Sequence, residues 1–320
     1  MKIFNKILLI ILIINFPQLF AQSELSFNKK IIGENYFNSR KLVLDIQENG
    51  ITKYIFEKEL LPYQSIPQVY LIDSAKFCLT FPSDGSIEFY QNKIMTNKYF
   101  FYKSHPKNEQ TLHFANNSFE SAILFSENQK NKIFIFDLVG NLKDSIIAED
   151  GIISGFTISN KNNFIAYSFY NWETEDINNK SIIFDRKNDK ILETEEKFWC
   201  GKFNSDDNNF LGFTNKNSFC YNISTKKLLW KSDLANDEIY LDGIWYNNNT
   251  LLIKAEAPEL KDGNWIYNKA NILSINSNGD ENIIQIVNSS FSKINFEKAQ
   301  NKILLKADER LVELEKLIID

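Results

Sequence analysis

The chain has 320 residues, 43% of them hydrophobic and 24% charged, with a formal net charge of −5. That balance belongs to a folded globular protein and excludes a largely disordered one. A net acidic chain also argues against a nucleic-acid surface built on global electrostatics.

The first segment, Met1 to Lys6, carries two lysines and no acid. Ile7 to Ile14 is an unbroken apolar run, which Asn15, Phe16, Pro17 and Gln18 end. Leu19-Phe20-Ala21 then offers a small residue before Gln22. This is the order of a signal peptide over residues 1–21, leaving residues 22–320 as one mature domain. A spanning helix needs about 20 apolar residues, and this run is shorter. An uncleaved anchor is the other reading of the same residues. No Cys follows the cleavage region, so no lipoprotein attachment is expected, and no later stretch is long enough to span a membrane. The expected location is secreted, periplasmic or cell-envelope, with no integral span after cleavage. Cys78, Cys200 and Cys220 are an odd set; Cys200 and Cys220 could pair if their backbones approach closely enough. There is no Cys/His grouping at zinc spacing.

Strand signals dominate the rest. Runs such as Lys132 to Asp137 and Ser181 to Asp185 are short, aromatic and β-branched, and polar turns bound them. A first unit, a hairpin with a polar turn, appears at Phe156 to Tyr167 and again at Phe203 to Phe213. Looser copies occupy Leu71 to Phe81, Phe114 to Phe125, Trp245 to Ile253 and Phe296 to Leu305. Phe77, Ala122, Phe164, Phe210, Leu251 and Ile303 are then equivalent positions, at steps of roughly 40 to 50 residues. A second unit, strand, four-residue polar turn, strand, follows each. Its copies begin at Phe134, Ile183, Cys220 and Leu273, with an early one at Val43 to Ile51.

Two hairpins per period make a four-stranded antiparallel blade, and such blades bury their faces by stacking around an axis. The hairpin with the Ser/Asn-Asp-Asn turn resembles the first half of WD40-like propeller repeats. Tyr221 to Asp233, with Lys227-Leu228-Leu229-Trp230-Lys231, resembles the outer half of quinoprotein-type repeats. The resemblance covers most of residues 36–320, without the Gly-His and Trp-Asp signatures of true WD40 repeats. It implies an all-β propeller of four-stranded antiparallel blades. Seven blades are favoured and six are the alternative; a two-sheet sandwich uses the same strand signals. The early pair at residues 41–58 belongs either to a seventh blade or to the one begun by Phe291 to Asp320.

In such blades the links between strands two and three share one rim with the links from blade to blade. Two of the former are long. One carries Trp172, Glu173, Glu175 and Asp176; the other carries Asp262, Trp265 and Tyr267. Long loops on a rigid scaffold are common binding sites, and Trp and Tyr offer flat contact area. Burial against their own blades is the competing fate of these aromatics. Glu173, Glu175 and Asp176 meet the needs of a calcium ion only in part. His105 and His113 stand in no nucleophile motif, and no GxSxG, HExxH or phosphate-cradling loop occurs. No catalytic residue, metal ligand or cofactor is therefore assigned. Asp150, Asp237, Glu238 and Asp242 lie near blade entrances. The expected function is an exported, non-enzymatic propeller that binds or scaffolds a protein, peptide or glycan. The alternative is a propeller enzyme, either a hydrolase or a quinone-dependent dehydrogenase. A structural module of an envelope assembly is a third reading.

Overall fold

The computed structural model describes residues 25–33, 37–48, 50–81, 84–101, 110–117, 119–170, 180–188, 190–235, 237–299, 302–308 and 310–314. Residues 1–21, which the sequence pattern reads as a signal peptide, and His105 lie outside these residues. Sheet 1 is formed by β1 (Leu25–Ile32), β2 (Arg40–Glu48) and β3 (Ile51–Leu60). Sheet 2 holds β4 (Gln68–Leu71), β5 (Lys76–Phe81), β6 (Ser86–Gln91) and β7 (Ile94–Phe100). Sheet 3 holds β8 (Gln110–Asn116), β9 (Glu120–Glu127), β10 (Lys130–Asp137) and β11 (Leu142–Ala148). Sheet 4 holds β12 (Ile152–Ile158), β13 (Phe164–Tyr170), β14 (Lys180–Asp185) and β15 (Lys190–Thr194). Sheet 5 holds β16 (Cys200–Phe203), β17 (Asn209–Phe213), β18 (Asn217–Asn222) and β19 (Lys227–Asp233).

Sheet 6 holds β20 (Glu238–Tyr246), β21 (Asn249–Glu256), β24 (Ala270–Ile275) and β25 (Glu281–Val287); a separate hairpin of β22 (Glu259–Lys261) and β23 (Asn264–Ile266) interrupts it. Sheet 7 holds β26 (Ile294–Ala299), β27 (Lys302–Ala307) and β28 (Arg310–Glu313). Every pairing is antiparallel between neighbours in the chain, apart from β21 with β24 around the inserted hairpin. The equivalent positions read from the sequence, Phe77 through Ile303, all fall on the second strands of sheets 2 to 7. No strand pairing joins sheets 1 and 7 among the described residues. The early pair instead sits with β1, a strand that the sequence pattern did not announce, because Asn28-Lys29-Lys30 breaks its apolar alternation.

Six apolar cores lie between consecutive sheets. Alternation along a strand sends successive side chains to opposite faces. On β17, Phe210 joins the core shared with sheet 4, while Leu211 and Phe213 join the core shared with sheet 6. Middle strands are therefore apolar on both faces and read as continuous runs, as in β5, Lys-Phe-Cys-Leu-Thr-Phe. Last strands such as β7 are largely exposed and read as mixed.

The seam between sheets 4 and 5 has a particular construction. Phe198 is fully buried there beside Phe210 and Phe219. A Cβ on Gly155 would stand 2.5 Å from the Phe198 ring and 2.6 Å from its carbonyl oxygen. Gly201 and Gly212, paired directly across β16 and β17, face the same group of rings. The missing side chains are what let a phenyl ring lie flat against the backbone.

In sheets 2 to 7 strand direction places the links within each strand pair, first to second and third to fourth, at one end. In three-stranded sheet 1 the β2–β3 link lies at that end, while the β1–β2 link lies at the other, beside β3–β4. We term the first end the turn rim. The links from second to third strand and from sheet to sheet lie at the other end, the connector rim. Hydrogen bonds hold each rim together. On the turn rim, buried Asp207 of sheet 5 accepts from the backbone N–H groups of Asn160 and Lys161 of sheet 4, at 3.0 and 3.1 Å. Asn117 of sheet 3 donates to the Ser159 carbonyl of sheet 4 at 2.6 Å. Asp137, Asp185, Asn222 and Asn276 each fold a third-to-fourth-strand turn by accepting from N–H groups two to four residues on. On the connector rim, the Phe101, Gly151, Leu234 and Ala257 N–H groups donate to Gly85, Gln129, Lys216 and Asp237 carbonyls.

Candidate functional site

The β22–β23 hairpin leaves sheet 6 from the connector rim. Its turn is Asp262-Gly263, with φ of 50° and 79°. Two consecutive positive φ values make the tight primed turn that a two-residue hairpin favours, and Asp-Gly is a preferred pair for it. Register sets Leu260 opposite Trp265, so the two share one face of the ribbon. They are 61% and 59% exposed. The other face carries Glu259 and Lys261, paired at 3.0 Å, and the lysine holds the Glu259 carboxyl below its ordinary value.

Tyr267 anchors the base of the hairpin. Its N–H and carbonyl exchange hydrogen bonds with Phe291 at 2.9 and 3.0 Å. The two rings stack with centroids 5.5 Å apart. Tyr267 is thus half-buried, and burial raises its phenol pKa. Phe291 is buried in the core shared by sheets 6 and 7. The root of the hairpin is therefore fixed. Trp172, Glu173, Glu175 and Asp176 lie outside the described residues.

Three of the four acids near the sheet entrances go to separate partners. Asp150 pairs with Lys130 at 2.5 Å and Glu238 with Lys254 at 3.2 Å. Asp242 accepts from the Phe296 and Gly243 N–H groups, both at 2.8 Å, and meets Lys202 at 3.4 Å. It thereby ties sheets 5, 6 and 7 together. Among the described residues no group of three or more His, Cys, Asp or Glu is arranged to hold a metal ion.

All three cysteines are free. Cys200 and Cys220 sit on β16 and β18 with β17 between them. Two strand spacings are about 10 Å, beyond the roughly 7 Å limit for a disulfide. Cys78 and Cys220 are buried, and burial pushes the Cys220 thiol up to about 12 and that of Cys78 well up. Neither supplies a thiolate at neutral pH. His113 lines a cavity of about 30 Å³ with Thr80 and Ser86, and burial lowers its pKa, keeping the ring neutral.

Sequence reasoning missed Glu88. Its side chain is buried, accepts from Tyr90 at 2.7 Å and meets Lys98 and Lys58 at 2.8 and 3.1 Å. Burial alone would raise its pKa, but Lys98, Tyr90 and Lys58 outweigh it and the value is lowered. Burial, then the Glu88 charge, drives the Tyr90 phenol strongly upward. The legible signal was an acid in an otherwise apolar strand, Ser-Ile-Glu-Phe-Tyr.

No family model matches the chain, and no curated protein matches it. Solved structures do. The crystal structure of a Mitotic Checkpoint Complex includes a chain similar to this one with a TM-score of 0.56 at 10% identity, over 90% of this chain and 92% of that one. BamB from Moraxella catarrhalis is similar with a TM-score of 0.54 at 13% identity, over 88% and 82%. Hydrazine synthase of Kuenenia stuttgartiensis is similar with a TM-score of 0.55 at 8% identity, over 78% and 77%. All three comparisons are with propellers. The fold is a β-propeller. Identities this low carry architecture and nothing about activity. No helix among the described residues of this propeller is long and apolar enough to cross a membrane.

Proposed function

We propose that this propeller is an exported binding or scaffolding protein that contacts a protein, peptide or glycan ligand through its connector rim. The observation that carries the reading is the Leu260–Trp265 pair, displayed on a rooted hairpin at the rim. Large aromatics are usually buried, and one held open on a fixed support is the form that binding anchors take. Asp262 closes the hairpin tip and Tyr267 fixes its base. By position in the sequence, the link between β13 and β14 adds Trp172, Glu173, Glu175 and Asp176 to the same reading. A similar propeller sits in a Mitotic Checkpoint Complex, a multiprotein setting, which supports a binding role. The entrance acids Asp150, Glu238 and Asp242 each engage a different lysine, which favours the binder over the hydrolase.

Export rests on residues 1–21 as a signal segment, which removes an anchor and leaves the propeller secreted, periplasmic or envelope-bound. Sequencing the mature protein is expected to give Gln22 first; retention of Met1 would count against export. The binding site is tested by placing a photo-crosslinking residue at position 260 in cells that make the protein. Position 147, where Ile147 is 85% exposed on β11, serves as control. Adducts are expected at 260, lost when Trp265→Ser is added. Equal adducts at both positions would sink the reading.

A further inference from the structure

The two rims differ in what they expose. Five of the exposed aromatics lie at the connector end of the sheets: Phe37, Tyr63, Phe100, Trp199 and Trp265. Phe37 and Tyr63 meet edge-to-face at 5.5 Å, which joins the β1–β2 and β3–β4 links. Exposed Leu61 and Leu260 stand on the same rim. Among the described turn-rim links Phe119 is the one exposed aromatic, and the strand ends beside those links expose the aliphatics Ile51, Ile94 and Leu142.

Charge follows the same division. The described connector-rim links hold nine acids against five lysines. The described turn-rim links hold four acids against five basic residues. The rim that exposes most of the aromatics is therefore also the more acidic one. We propose that the connector rim docks on a protein partner presenting an apolar patch edged by lysine or arginine. This rests on the binding role proposed above and names the partner's class.

Each part of the surface selects that class. A sugar gains from stacking on flat aromatic faces and from polar groups. Leu61 and Leu260 offer neither and gain only when apolar surface covers them, which a protein supplies. The acidic excess attracts a basic partner and repels an anionic lipid surface.

The test is fluorescence anisotropy with the full propeller and four probes: a labelled peptide of alternating Lys and Leu, its Glu/Leu counterpart, chitohexaose, and vesicles of phosphatidylethanolamine with phosphatidylglycerol. The Lys/Leu peptide is expected to bind, to weaken as salt rises, and to lose about tenfold or more in affinity with Leu260→Ser plus Trp265→Ser. Phe119→Ser on the opposite rim is expected to leave binding unchanged, and all variants to keep the parental denaturation midpoint. Trp265-dependent binding of the Glu/Leu peptide, chitohexaose or vesicles in place of the Lys/Leu peptide would overturn the partner class while leaving a site at the hairpin. If no probe responds to the double substitution, both the partner class and the hairpin site fall.

Discussion

The seam between sheets 1 and 2 and the seam between sheets 4 and 5 fill the same kind of space by opposite means. Both are aromatic. The first packs Phe56, Phe77 and Tyr90, with Phe77 and Tyr90 stacked at 5.0 Å. The second packs Phe198, Phe203, Phe210 and Phe219. The first seam then admits a charge, Glu88, and crosses to Lys58 of β3 to satisfy it. The second keeps its charge at the turn-rim end, on Asp207, and removes side chains from its interior, at Gly155, Gly201 and Gly212. An interior filled by rings and glycines is held by packing, which involves no titrating group. A charged seam depends on its partners keeping their protonation states.

The contrast breaks most sharply at Phe198. Phe198→Ala leaves a hollow lined in part by glycines, which have no side chains to fill it. It is expected to cost about 4 kcal/mol, read as a lower urea midpoint. Glu88→Gln strands two lysines that are themselves partly exposed, so the loss is expected to be smaller, about 2 to 3 kcal/mol. The two seams separate in acid. A carboxyl whose folded pKa is lowered contributes stability above its unfolded value, 4.5, and loses it as pH falls through the folded value. The parent is therefore expected to lose more stability than Glu88→Gln between about pH 5 and pH 3. Parallel acid limbs for the two proteins would remove Glu88 from the account. The smallest effect sharpens the second seam at its turn-rim end. Asp207→Asn keeps a residue that tolerates the positive φ of 64° but loses the charge that holds the Asn160 and Lys161 N–H groups. About 1 kcal/mol is expected.

The sequence carried the repeat well because the second strand of each sheet is buried on both faces. That burial forces a continuous apolar run, and Phe77, Phe164, Phe210 and Leu251 mark it directly. β1 escaped notice for the complementary reason. Phe27 and Ile31 pack on the core while Lys29 and Lys30 interrupt the pattern. The β22–β23 hairpin read as a long loop, although Asp262-Gly263 was its turn signal. Its short strands and exposed faces gave periodicity nothing to register. The Leu260–Trp265 pairing depends on hairpin register, which the loop reading did not contain. Glu88 needed the third dimension outright, since Lys58 reaches it from another sheet.

Because alternate side chains of one strand serve two different cores, each sheet resembles a domino with unlike halves. Sheet 4 shows mainly aliphatic groups to sheet 3, around Ile153, Ile165 and Ile182, and Gly155 with the Phe198 neighbourhood to sheet 5. A duplicated or transplanted sheet would match at most one neighbour. The order of the sheets is thus written into their faces, and a new blade could join the row only by arriving with both halves already cut to fit.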